Sequence, residues 1–115
     1  MDIRLLVLRT GDMQRLANFY SLLGCSFDHH QHGNSPLHYS ATMGQTVLEI
    51  YPLVKGQAEP DKYLRLGFAI DNFDERVAYL KSINIPFVSE PVETEFGLMA
   101  VITDPDKRKI ELYRK

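Results

Sequence analysis

The sequence has few of the features that would cross-link or anchor a chain. It contains one cysteine, Cys25, which excludes an internal disulfide, and it contains no tryptophan. No apolar run approaches the roughly 18 residues that a membrane-spanning helix needs. Thirteen Lys and Arg face fifteen Asp and Glu, a net charge of −2, so we expect binding to neither nucleic acid nor a membrane. The first residues lack a signal-peptide pattern, and we expect a cytoplasmic protein.

The composition is that of an ordinary globular protein. Hydrophobic residues make up 44% and charged residues 24% of the 115 residues, which suits one compact domain. Cys25 lies in an apolar stretch without a neighbouring base, and we interpret it as a small buried hydrophobe rather than a nucleophile. The composition does not assign a function, which therefore has to be inferred from the residues of a site.

The chain contains an internal repeat. A shift of sixty residues aligns apolar positions of the two halves, such as Leu6 with Leu66, and a shift of sixty-two aligns residues 47–51 with 109–113. Each half has the pattern of a strand, a helix and three more strands. We therefore predict an α+β fold of two βαβββ modules that form a barrel-like cavity.

These modules define the expected domain organisation. We predict a single domain over residues 1–115, built from repeats at about 1–54 and 62–115 that a short polar linker joins. Each half has roughly 55 residues, too few to be stable alone, so two modules must pack together in one chain or between two chains.

The helix ends have recognisable signals. Asp12 is a predicted N-cap, and Asn72 followed three residues later by Glu75 predicts a capping box. Gly24 and Asn84 align in the repeat, and both residue types tolerate a left-handed C-cap. Helical spacing predicts the buried stripes Met13, Leu16, Tyr20 and Leu23, and Phe73, Val77, Leu80 and Ile83.

Strand alternation predicts which charged residues point inward. Glu49 and Glu111 alternate with apolar neighbours that should cover the helices, so both carboxylates should face the concave side of a sheet. The repeat puts Leu5 and Arg65 on the same side. Because two buried carboxylates are costly without a positive partner, we predict that Arg65 bridges them.

Four motifs occur together over nearly the whole chain. They are Leu8-Arg9-Thr10-Gly11-Asp12-Met13-Gln14-Arg15, Leu22-Leu23-Gly24, Val47-Leu48-Glu49-Ile50, and Asp104-Pro105-Asp106 with Lys109-Ile110-Glu111-Leu112. The chain thereby resembles the vicinal oxygen chelate superfamily of glyoxalases, bleomycin- and fosfomycin-resistance proteins and extradiol dioxygenases. The glyoxalase I branch is most similar. The resemblance implies the glyoxalase/bleomycin resistance/dioxygenase fold.

The resemblance also implies a metal-binding position on the first, fourth, fifth and eighth strands. Glu49 and Glu111 match the two Glu positions, whereas Leu5 and Arg65 occupy the other two. Leucine has no lone pair to donate, and arginine carries a fixed positive charge. We therefore predict no metal and no cofactor, and we do not expect metal-dependent glyoxalase I activity. Arg9 lies where the resemblance implies contact with an anionic thiol cofactor.

The predicted ligand-binding residues are Arg9, Glu49, Tyr51, Arg65, Glu111 and Tyr113. The leading hypothesis is a glyoxalase/bleomycin-resistance-like homodimer that binds a small organic molecule in its cavity without a metal. An alternative is a lyase or isomerase-type enzyme in which Glu49 or Glu111 is the general base and Arg65 holds an oxyanion. A third is a structural or regulatory dimer with a filled cavity, in which these charges form only an ion-pair network.

Two further clusters have simpler interpretations. His29, His30 and His32 precede a turn, and we predict an exposed hairpin tip rather than a metal site, whereas His38 is better suited to line the cavity. The basic residues at 107–109 and 114–115 predict a solvated C-terminal edge. Within them, Lys107 replaces the glycine that the resemblance implies, which we interpret as a local change.

Overall fold

The computed structural model describes residues 1–30, 33–34 and 36–115 of the chain. These residues form two compact units. The first consists of Met1–Ser21 and Cys25–Pro60, and the second of Leu22–Gly24 and Asp61–Lys115.

The first unit has one helix and a four-stranded sheet. In chain order its elements are β1 (Leu5–Thr10), α1 (Met13–Ser21), β2 (Asp28–His30), β3 (His38–Met43) and β4 (Thr46–Pro52). The strand order is β1-β4-β3-β2, in which β1 is parallel to β4 and the other neighbours are antiparallel.

The second unit repeats this arrangement. Its elements are β5 (Leu66–Ile70), α2 (Phe73–Ser82), β6 (Phe87–Thr94), β7 (Gly97–Thr103) and β8 (Lys109–Arg114). The strand order is β5-β8-β7-β6, with β5 parallel to β8. In the part of the chain that the structure describes, no helix has the length and hydrophobicity needed to cross a membrane.

The strand register confirms the repeat and the predicted fold class of two βαβββ modules. Val7 pairs with Glu49 in the first sheet, and Gly67 pairs with Glu111 in the second. These pairs are related by the predicted shifts of sixty residues for the parallel edge strand and sixty-two for its central partner.

The core of each unit lies between its helix and one face of its sheet. Leu16 and Tyr20 of α1 are fully buried, as are Leu48 and Ile50 on the facing strand. In the second unit Phe73, Val77 and Leu80 are buried with Ile110 and Leu112. The predicted stripes are wrong at Ile83, which follows the last residue of α2 and is 40% exposed, and Met13 of the first stripe is only half-buried. Cys25 is only half-buried, less than predicted.

The two helices begin differently. Asp12 caps α1 as predicted, because its Oδ1 accepts a hydrogen bond from the backbone N–H of Arg15 at 3.1 Å. The predicted capping box at α2 is wrong. Asn72 has a left-handed backbone with φ of 53° instead of the extended backbone of an ordinary N-cap, and its side chain makes no cap hydrogen bond.

The turn between β7 and β8 is built on a buried arginine, so the predicted solvated edge is wrong at Arg108, whereas Lys107, Lys109, Arg114 and Lys115 are exposed as predicted. Arg108 is 1% exposed, and its Nη1 lies 3.1 Å from Asp104 and 3.2 Å from Asp106. The other oxygen of Asp104 accepts hydrogen bonds from the backbone N–H groups of Asp106 and Arg108. Lys107, between them, has a left-handed backbone with φ of 75°.

The edge strand β6 is irregular. Its pairing with β7 shifts register between Phe87 and Ser89 and again between Ser89 and Val92. Pro91, which has no backbone N–H to donate, lies within the second shift. Both features bend β6 away from regular sheet geometry.

Candidate ligand-binding site

The face of β4 opposite the core carries the candidate residues of the first unit. Leu48 and Ile50 are fully buried towards the helix, whereas Glu49 and Tyr51 alternate with them and are half-buried. The predicted strand parity is therefore confirmed at β4. On β1, Arg9 pairs in register with Tyr51, and Leu5 is 54% exposed.

Glu49 is partnered by a histidine of the neighbouring strand. The Nε2 atom of His38 lies 3.4 Å from Oε2 of Glu49. Ser40 pairs directly with Glu49, so His38, two residues away, is the diagonal neighbour on the same sheet face. The other ring nitrogen, Nδ1, lies 3.1 Å from the carbonyl oxygen of Pro36. Because His38 is fully buried, these contacts hold the imidazole in one orientation beside the carboxylate.

Tyr51 lies between an imidazole and a guanidinium. Its ring stacks on His38 of β3, with centroids 4.3 Å apart and an interplanar angle of 8°. From β1, on the other side of β4, the guanidinium carbon of Arg9 lies 5.1 Å from the Tyr51 centroid. Arg9 also donates a hydrogen bond from Nη1 to the carbonyl oxygen of Pro52 at 3.0 Å. Because protein groups approach the ring from both neighbouring strands, Tyr51 offers a ligand its edge rather than an open face.

The equivalent face of β8 carries the candidate residues of the second unit. Ile110 and Leu112 are fully buried, and Glu111 and Tyr113 alternate with them as predicted. Of the predicted Arg65 bridge between the two carboxylates, the structure shows the contact with Glu111, with Nε of Arg65 2.5 Å from Oε2, whereas the partner found for Glu49 is His38. The Tyr113 hydroxyl donates a hydrogen bond to the other carboxylate oxygen. Both oxygens of Glu111 therefore have a donor.

These donors change the acidity of the pair. The Tyr113 hydroxyl, followed by the Arg65 guanidinium, stabilises the ionised carboxylate and holds the pKa of Glu111 below its ordinary value. Conversely, the hydrogen bond to Glu111 raises the pKa of the Tyr113 hydroxyl, because the phenol loses that bond when it ionises. At neutral pH the cluster therefore contains a carboxylate, a guanidinium and a neutral phenol.

Gly67 pairs with Glu111 and keeps the space beside this cluster open. A Cβ at Gly67 would lie 3.4 Å from Cε2 of Tyr113 and 3.7 Å from Cβ of Glu111. These are contact distances, so a methyl group fits there without displacing either side chain. A branched side chain such as that of Val7, the equivalent residue of the first unit, would extend further towards Tyr113.

The donor set does not fit the divalent cation that the resemblance implies. Leu5 supplies no donor atom, and the Glu111 carboxylate already contacts the Arg65 guanidinium, whose charge repels a cation. Among residues 1–30, 33–34 and 36–115, no three or more His, Cys, Asp and Glu side chains are grouped to hold a metal ion.

The structure brings the predicted residues together in two clusters. Arg9 and Tyr51 join Glu49 in the first unit, and Arg65 and Tyr113 join Glu111 in the second. Sequence reasoning missed the pairing of His38 with Glu49 and the hydrogen bond from Tyr113 to Glu111. The hydrogen bond from Tyr113 to Glu111 could have been predicted from the sequence, since residues two apart on a strand share a face.

The histidines that are close in sequence have different surroundings in the structure. His29 is exposed and stacks on Tyr39, with centroids 4.3 Å apart, as part of a β2–β3 pair. His32 and the side chain of His30 lie outside the described residues, so the prediction of a hairpin tip stays a prediction for both. His38, by contrast, shares its sheet face with Glu49 and Tyr51.

Comparison with known proteins identifies the fold. The family model described as "Glyoxalase/Bleomycin resistance protein/Dioxygenase superfamily" matches residues 3–112. The trypanothione-dependent glyoxalase I of Leishmania major is 25% identical with a TM-score of 0.71, and the match covers 99% of this chain and 86% of that one. An antibiotic-binding protein of Streptomyces sp. CB03234, TnmS3, is 21% identical with a TM-score of 0.76 and coverages of 99% and 95%. A comparison with curated protein sequences found no significant match.

Proposed function

Because the chain belongs to the Glyoxalase/Bleomycin resistance protein/Dioxygenase superfamily, we propose that it binds a small organic molecule without a metal ion. The proposed contacts are Arg9, Glu49, Tyr51, Arg65, Glu111 and Tyr113. The observation that carries the proposal is the contact of the Arg65 guanidinium with Glu111, which neutralises a carboxylate that metal-dependent relatives use for a cation. The similarity to an antibiotic-binding protein supports a binding role.

The half-buried side chains indicate what kind of molecule fits. Glu49 is 18% exposed and supplies an acceptor for a polar or cationic group. Arg9 and Arg65 supply donors for a carboxylate or phosphate. The Tyr51 ring, stacked on His38, contributes a rigid apolar edge. Such a mixture of a few oriented polar groups and apolar surface is typical of small-molecule sites.

A thermal-shift screen of a small-molecule library, with and without a chelator, tests the proposal. We expect compounds that raise the melting temperature equally in both conditions, because binding stabilises the native state. For such a compound, Glu49→Gln should lower affinity by about tenfold, the effect of losing roughly 1.4 kcal/mol. Glu59→Gln, at an exposed acid of the first unit, removes the same negative charge and should not change affinity.

Three results would contradict parts of the proposal. A library without any stabilising compound would favour the structural or regulatory dimer. Loss of binding in chelator would show that a metal ion takes part. Unchanged ligand affinity in Glu49→Gln, accompanied by altered stability, would show that the carboxylate serves only an ion-pair network.

The second candidate function is a lyase or isomerase-type reaction with Glu49 as general base. The contact with His38 at 3.4 Å supports Glu49 as the base, since a fixed imidazole can orient the carboxylate. Glu111 is the weaker base because Tyr113 and Arg65 lower its pKa. Conversion of a stabilising compound, followed by proton NMR, would distinguish catalysis from binding if Glu49→Gln abolished turnover.

We also propose that the chain forms a homodimer. Strand β1 is an edge strand of its sheet, and the apolar side chains of Ile3 and Leu5 beside this edge are 69% and 54% exposed. Pairing with a second copy would cover such side chains. Sedimentation velocity of the purified chain measures this directly, and a monomer at all concentrations would contradict it. The cytoplasmic location stays a prediction.

A further inference from the structure

The second unit contains a groove of strongly one-sided charge. Its volume is about 420 Å³, within the range of small-molecule sites. Its lining residues are Lys62, Tyr63, Leu64, Arg65, Lys107 and Lys109. Of the described residues that line it, four are cationic and none is acidic. We call it the basic groove.

Of the nearby carboxylates, Glu111 and Asp104 pair with arginines, and Asp61 keeps its negative charge next to Lys62 in the chain. Asp61 accepts a hydrogen bond from the backbone N–H of Tyr63 at 2.8 Å. Glu111 pairs with Nε of Arg65, and Asp104 pairs with the buried Arg108. The three lysines therefore carry the positive charge that faces a ligand.

The position of Lys107 is held by the fold at an energetic cost. Its left-handed φ of 75° is unfavourable for a residue with a side chain, and glycine or asparagine would adopt it more easily. The buried contacts of Arg108 with Asp104 and Asp106 fix the turn from which Lys107 extends. A strained residue on a rigid turn is typical of positions where the side chain has a function.

An aromatic ring lies beside the cations. Tyr63 is 85% exposed, and Nζ of Lys62 lies 5.7 Å from its ring centroid. An exposed ring next to lysines can contact the flat part of a ligand whose anionic group the lysines bind. Lysine ammonium groups are compact charges that suit phosphate, whereas Arg65 already donates its Nε to Glu111.

We propose that the basic groove binds an aromatic phosphate monoester, with the phosphate at Lys62, Lys107 and Lys109 and the ring against Tyr63. The site is distinct from the proposed strand-face site and shares only Arg65 with it. The proposal does not depend on that function, because it rests on the charges, the exposed ring and the strained turn of the second unit alone.

Isothermal titration with phenyl phosphate at low ionic strength tests this. We expect the native protein to bind phenyl phosphate more tightly than inorganic phosphate or benzoate. The double variant Lys107→Asn with Lys109→Gln should lose about tenfold in affinity, because two charge-assisted contacts are removed. Asparagine tolerates the left-handed backbone, so this variant should fold, and its melting curve checks that it does.

Two matched variants make the result decisive. Tyr63→Ala should abolish the preference for phenyl phosphate over inorganic phosphate while leaving inorganic phosphate binding unchanged. The double variant Lys81→Gln with Lys55→Gln removes the same two charges at exposed lysines outside the groove and should have no effect. An equal loss in this control, equal binding of benzoate, or no binding by the native protein would each overturn the proposal.

Discussion

The two units share their strand pairing, but their equivalent acids have different partners. Glu49 and Glu111 occupy equivalent positions, opposite Val7 and Gly67. Glu49 contacts His38, which comes from the antiparallel neighbour β3. Glu111 contacts Arg65, which lies just before the parallel neighbour β5, and Tyr113 of its own strand.

This difference shows what a repeat does and does not preserve. The backbone register is equivalent because burial of one strand face forces it. The side chains that satisfy the acids come from positions that are not equivalent in the two units. The tyrosines illustrate this, since Tyr51 stacks on a histidine, whereas Tyr113 donates a hydrogen bond to a carboxylate.

The largest expected difference concerns the turns that precede the acid-bearing strands. The β3–β4 turn needs only Gly44 and Gln45, whereas the β7–β8 turn encloses Arg108 between two aspartates. We expect Arg108→Met to lower the free energy of unfolding by about 3–5 kcal/mol, because it leaves buried Asp104 without its cation. Urea denaturation measures this loss of stability.

Arg114→Met, which breaks an exposed pair with Asp74, is the control and should cost less than about 1 kcal/mol. Similar losses of stability in both variants would contradict the special role of the buried arginine.

A smaller effect of opposite sign is expected at the equivalent helix starts. Asp12→Ala removes the cap of α1 and should lower the free energy of unfolding by about 1 kcal/mol. Asn72→Gly relieves the left-handed backbone and should raise it by up to about 1 kcal/mol. Asp12→Asn is the control, because it keeps a side-chain oxygen that can accept the capping hydrogen bond. Thermal unfolding tests the comparison, and destabilisation by both substitutions would show that the two starts are alike.

The smallest expected effect distinguishes the two tyrosines. Tyr113→Phe removes the main cause of the low pKa of Glu111, so this pKa should rise towards the ordinary value of 4.5. A carboxyl group whose pKa is lowered by folding stabilises the native state at pH values above its ordinary pKa. This stabilisation is lost as the pH falls through the lowered native pKa. Tyr113→Phe should therefore reduce the acid-side loss of stability. Carboxyl NMR titration measures the shift, Tyr51→Phe is the equivalent control, and an unchanged Glu111 titration in Tyr113→Phe would be inconsistent with the hydrogen bond.

The parts of the fold that depend on local periodicity were predictable from the sequence. Alternation along a strand assigned Glu49 and Glu111 to the faces opposite the core, since each strand buries only one face. The N-cap at Asp12 was predictable because a side-chain acceptor needs only the next three residues. The prediction of a capping box at Asn72 failed because Asn72 has a left-handed backbone, which the same local signal does not encode, instead of the extended backbone that the motif needs.

Contacts between non-adjacent segments were not predictable in the same way. His38 meets Glu49 through the β3–β4 register, which depends on a turn that strand parity alone does not locate. Arg108 lies between two lysines and resembles a surface residue in sequence. Its burial follows from aspartates two and four residues earlier, which the turn folds around the guanidinium.

The irregular edge strand of the second sheet has a consequence for how the protein behaves at high concentration. Val88 and Val92 of β6 are 55% and 50% exposed, on a strand that would otherwise offer a template for fibrillar aggregation. The register shifts and Pro91 interrupt the row of unpaired backbone donors along that edge. The irregular backbone of β6 therefore disfavours cross-β assembly along this edge, although Val88 and Val92 are exposed.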